Sequence, residues 1–104
     1  MPMLTRGGAP LTLETFEIDS HAKMIQSDEP NLPLDSTKVL VFIDHENKVV
    51  YLWRGKKADV VKKLVGTRVA ARLSHTYPDY RIRPVGEGSE PAAFKALFRD
   101  ELGE

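Results

Sequence analysis

The residues in this chain that carry chemistry are scattered, and their spacing argues against catalysis. Asp44-His45-Glu46 is the densest run of potential metal ligands. Consecutive side chains rarely converge on one ion, however, and the same residues are strong turn formers. Gly55-Lys56 stands where a phosphate loop would sit, between a predicted strand and a predicted helix, but the Gly-x-x-x-x-Gly-Lys-Ser/Thr spacing is missing. His21, His45 and His75 fall in separate segments with no nucleophile between them, and no acid–base pair or triad can be assembled. No enzyme, metal site or cofactor is expected. What does stand out is a run of cations, Arg54, Lys56, Lys57, Lys62, Lys63, Arg68 and Arg72, opposed only by Asp59. That pattern belongs to a surface that binds.

The elements that must position these residues fit one small domain. A chain of 104 residues supports a single core. Its 41% hydrophobic content, 29% charged content and formal net charge of zero are ordinary for a globular protein, and favour neither nucleic acid nor membrane as a global partner. The lack of aromatic residues among the cations argues further against nucleic acid. There is no cysteine, which fits a reducing compartment and gives a cytoplasmic expectation. Residues 1–10 hold two glycines and two prolines and are expected to form a flexible arm, with the domain spanning 11–104.

Along the domain, Leu11, Leu13, Phe16 and Ile18 alternate with polar residues but change phase after Leu13, as a bent or bulged strand would. Met24-Ile25 suggests a weaker strand, and Pro30 and Pro33 mark a loop. Val39 to Ile43 and Val49 to Trp53 are apolar on both faces, so they are predicted as central strands joined by a hairpin at Asp44 to Lys48. A helix is predicted over about 58–75, ending ahead of Pro78. Tyr80 to Arg83 predicts a last strand, and Pro91 opens a short helix with Phe94, Leu97 and Phe98 on its apolar face. The order is ββββαβα, an α+β fold.

The long helix carries two stripes. Ala58, Val61, Val65, Gly66, Val69 and Leu73 share one face, expected to pack on the sheet, and Gly66 implies close approach to a strand. Val60, Leu64, Thr67 and Ala71 form a second stripe, with Lys63 beyond it and Arg68, Arg72 and His75 on the flank. An apolar strip edged by cations suits a partner surface. The competing reading is that the arm or the closing helix covers Val60 and Leu64.

In three segments the chain resembles the gelsolin, villin and severin family of actin regulators: Val39 to Asp44; Val50-Tyr51-Leu52-Trp53-Arg54-Gly55 with Ala58; and Val85-Gly86-Glu87-Gly88-Ser89-Glu90-Pro91-Ala92-Ala93-Phe94-Lys95-Ala96-Leu97-Phe98. The resemblance implies a gelsolin-like fold, a mixed central β-sheet sandwiched between one long helix and one short C-terminal helix. It also implies an actin or actin-like partner. The contact would then be Val60, Lys63, Leu64, Thr67, Arg68, Ala71 and His75, and a single domain would bind monomers or cap a filament end rather than sever. Many family members hold calcium on a carboxylate at the entry to the central strand and another early in the long helix. Here Thr37-Lys38 and Lys62 occupy those places, and ammonium groups repel the ion. Calcium-independent behaviour is therefore expected. Two alternatives stay open. Lys56, Lys57, Lys62 and Lys63 would suit phosphoinositides or another anionic membrane surface, and family domains also serve as packing modules in larger complexes.

Overall fold

The computed structural model describes residues 13–27 and 34–97. The expected arm, the two prolines of the loop and Phe98 lie outside the described residues.

Five strands form one sheet in the order β2-β1-β3-β4-β5: β1 Leu13–Ile18, β2 Met24–Gln26, β3 Val39–Asp44, β4 Val49–Arg54 and β5 Arg81–Gly86. All neighbours run antiparallel except β4 and β5, which are parallel. That one parallel pairing needs a crossover, and helix α1, Val60–Thr76, supplies it. Helix α2, Ala92–Ala96, closes the described chain. β3 is buried at every position, as its unbroken apolar run predicts for a strand covered on both faces.

Alternation along the strands sorts the core into two layers. Ile18, Val39, Val41, Ile43, Val50 and Leu52 meet Ala58, Val69 and Leu73 beneath α1. Leu40, Phe42, Tyr51, Trp53 and Val85 meet Phe94 of α2 on the opposite face. The Phe94 ring stands edge-on to both Phe42 and Tyr51, with centroids 5.3 Å apart in each case. A five-residue helix has little stability of its own; this aromatic anchor holds it.

The sequence pattern and the structure differ in β1. The phase change between Leu13 and Phe16 suggests a bulge, but pairing with β3 runs without interruption from Leu13↔Asp44 to Glu17↔Leu40. Both faces of the strand are covered instead. Phe16 packs beneath α1 and Leu13 packs against the α2 layer, so apolar residues recur in both phases of a regular strand.

Candidate interaction surface

Helix α1 begins two residues later than the periodicity suggests because Asp59 caps it. Its Oδ1 accepts the Lys62 backbone N–H at 2.8 Å, filling one of the donors a helix start leaves open. Only Gly66, Val69 and Leu73 of the helix are fully buried. At Gly66 an added Cβ would sit 3.1 Å from Val39 Cγ1 and 3.5 Å from Leu52 Cδ1, which bears out the close helix–sheet approach.

The second stripe is open to solvent among the described residues. Val60 is 71% exposed and Leu64 64% exposed, and Thr67, Arg68, Ala71 and His75 are exposed with them, while Lys63 is half-buried at the edge. Helix α2 lies on the other side of the sheet and does not cover them. Val61 is a correction. The helical pattern puts it on the core face, yet it is 56% exposed while Val65 is half-buried. At about 100° per residue it lies roughly 110° from the centre of the buried arc, which is too far around to reach the sheet. Val60, Val61 and Leu64 thus form an apolar head on the first two turns. A narrower estimate of the buried arc would have found Val61 from sequence.

The cations do not form one patch. Lys56 and Lys57 are exposed ahead of the helix, but Lys62 and Lys63 are half-buried. Lys62 is turned toward the sheet side, close enough to Asp35 to help hold that carboxyl below the usual range. Arg72 reaches across to the β1–β2 turn, where its Nη2 donates to the Ala22 carbonyl at 3.0 Å.

Asp35 is held within its own turn and has two lysines nearby. Its Oδ1 accepts the Thr37 hydroxyl at 2.6 Å and the Thr37 backbone N–H at 2.9 Å. The Thr37 hydrogen bonds lower its pKa most, with smaller contributions from Lys38 and Lys62. A cation entering here would meet two ammonium groups and an oxygen already engaged. Asp44 is similarly occupied: Oδ1 accepts the backbone N–H groups of Glu46 and Asn47, and Oδ2 accepts the Asn47 amide. This is hairpin chemistry, as expected from the sequence.

The glycine-rich segment after β5 acts on structure. Glu90 Oε2 accepts Trp53 Nε1–H at 2.9 Å while its Oε1 accepts the Gly88 backbone N–H at 3.1 Å, and Gly88 has φ +88°, where a glycine is favoured. Glu87 takes the Ser36 hydroxyl at 2.6 Å on one oxygen and the Lys56 backbone N–H at 2.8 Å on the other. The indole bond lowers the Glu90 pKa, and the Ser36 bond, followed by the Lys56 bond, lowers that of Glu87. Glu87 thereby ties the segment that follows β4 to the chain before β3, and Glu90 ties the glycine turn to the end of β4.

A mixed sheet with a long helix on one face and a short C-terminal helix on the other defines a gelsolin-like domain. Comparison with solved structures agrees. Thorarchaeota ProGel, crystallised in complex with rabbit actin, is 62% identical, with 82% of this chain and 97% of that chain covered and a TM-score of 0.76. Thorarchaeota 2DGel3, also crystallised with rabbit actin, is 22% identical over 82% of this chain and 42% of that chain, with a TM-score of 0.69, and bears on the fold alone. No family model and no curated protein matches. On the identity and coverage of the first relative, the chain belongs to the gelsolin-like family. Among the described residues, no helix is long and apolar enough to cross a membrane.

Proposed function

We propose that this domain is a non-enzymatic, cytoplasmic actin-binding protein that uses the exposed face of α1 and does not need calcium. The observation that carries the reading is the 62% identity to Thorarchaeota ProGel, itself crystallised with rabbit actin. The open apolar head of Val60, Val61 and Leu64 supports α1 as the contact. Fully burying one such side chain is worth about 1.5–3 kcal/mol, so three of them supply the apolar centre an interface needs. Thr67, Ala71, Lys63, Arg68 and His75 then form its rim. The lysines around Asp35 support calcium independence. Monomer binding or end capping suits a single domain of this size.

Sedimentation of filamentous actin with increasing amounts of this protein, in calcium and in chelator, tests the reading. Actin in the supernatant is expected to rise equally in both. A rise that requires calcium would overturn the calcium reading, and no rise in either would overturn actin regulation. Binding of phosphoinositides or another anionic membrane surface is the rival reading, and it is favoured only by the exposure of Lys56 and Lys57.

A further inference from the structure

The two edges of the sheet are β2 and β5. β2 is only three residues long, but β5 is a six-residue strand with no neighbour on its outer side among the described residues. A free edge of that length normally invites another strand.

The hydrogen-bond register settles which backbone groups β5 offers. Arg81 N–H donates to Lys48 O and Glu87 N–H to Arg54 O, both at 3.0 Å. In a parallel ladder, alternate residues turn their N–H and C=O toward the same neighbour. Arg81, Arg83, Val85 and Glu87 therefore face β4, and Ile82, Pro84 and Gly86 face outward. Proline has no N–H to donate, so the middle donor of the outward row is missing. The Gly86 carbonyl is also engaged, accepting the Ser89 N–H at 2.9 Å. The donors that remain, at Ile82 and Gly86, lie about 13 Å apart along an extended strand. Pro84 itself is exposed, so no packing role inside the core accounts for it.

We infer that Pro84 closes the β5 edge to strand addition and so keeps this domain from pairing edge-to-edge with a second copy of itself. An incoming strand would place a carbonyl opposite the proline ring with no donor to meet it, and burying that unmet group disfavours the pairing. This role does not depend on what α1 binds.

Pro84→Ala restores the N–H with little added bulk, and Pro84→Val adds strand propensity. Arg83→Val is the control, since it adds apolar surface at a residue whose N–H is already turned to β4. Light scattering across a concentration series is expected to give a monomer mass for the parent and for Arg83→Val. Both Pro84 variants are expected to rise toward twice that mass. The amide of residue 84 in either variant is expected to exchange freely when dilute and to become protected when concentrated. Monomeric Pro84 variants with an unprotected amide at high concentration would overturn the inference. So would a parent that already pairs, or an Arg83→Val variant that pairs equally well.

Discussion

At Gly55 the family resemblance has a concrete steric cause. An added Cβ would collide with the backbone of Ser36, which is held in place because its carbonyl accepts the Lys57 N–H at 2.8 Å and its hydroxyl is bound to Glu87. Backbone cannot give way as a side-chain tip does, so Gly55→Ala is expected to lower stability by about 3 kcal/mol or more, measurable by urea unfolding. A loss under about 1 kcal/mol would show that the 34–38 segment yields, and the account of the clasp would fail. Gly66 differs in degree, since its neighbours are side-chain methyls. Sequence alone revealed that Gly66 meant close approach, because glycine is costly inside a helix. It did not reveal the roles of Glu87 and Glu90, because their partners Ser36 and Trp53 are 51 and 37 residues away.

At the scale of elements, the strands and both helices were legible because their apolar periods are distinct: continuous in β3 and β4, helical in α1, and proline-started in α2. Two features were not. The phase change in β1 suggested a bulge because a strand covered on both faces shows no single alternation. The helical pattern places Val61 on the core face because it gives a residue's angle around the helix but not the width of the sheet beneath it. The start of α1 depends on Asp59, and Asp59→Ala is expected to cost about 1 kcal/mol of stability through loss of the cap, seen as a lower thermal midpoint. Because Val60, Val61 and Leu64 lie on the first two turns, fraying there should also weaken actin binding, though by less than removing one of those side chains. Unchanged stability would show that the Lys62 N–H finds another acceptor.

For the molecule as a whole, its acid limit follows from the carboxylates it has tied down. Asp19, Asp35, Glu87 and Glu90 all have lowered pKa values, chiefly through hydrogen bonds from the Lys23 N–H, the Thr37 hydroxyl, the Ser36 hydroxyl and the Trp53 indole respectively. A carboxyl whose pKa is lower folded than unfolded contributes stability above its ordinary value and loses it as pH falls through the lowered one. The thermal midpoint is therefore expected to hold near neutrality and to decline once pH falls below about 4.5, the ordinary glutamate value. A midpoint that stays flat to pH 2 would show that these bonds stabilise little. The central claim is that α1 is the surface this domain presents to actin, and calorimetric titration of actin into the parent and into Leu64→Asp tests it most directly. Leu64 is 64% exposed, so the substitution should leave unfolding within about 0.5 kcal/mol of the parent. Placing a carboxylate at the centre of an apolar contact should weaken binding by about 2 kcal/mol or more, roughly 30-fold. Parent-like affinity in a folded Leu64→Asp variant would contradict the account and move the contact off this face of the helix.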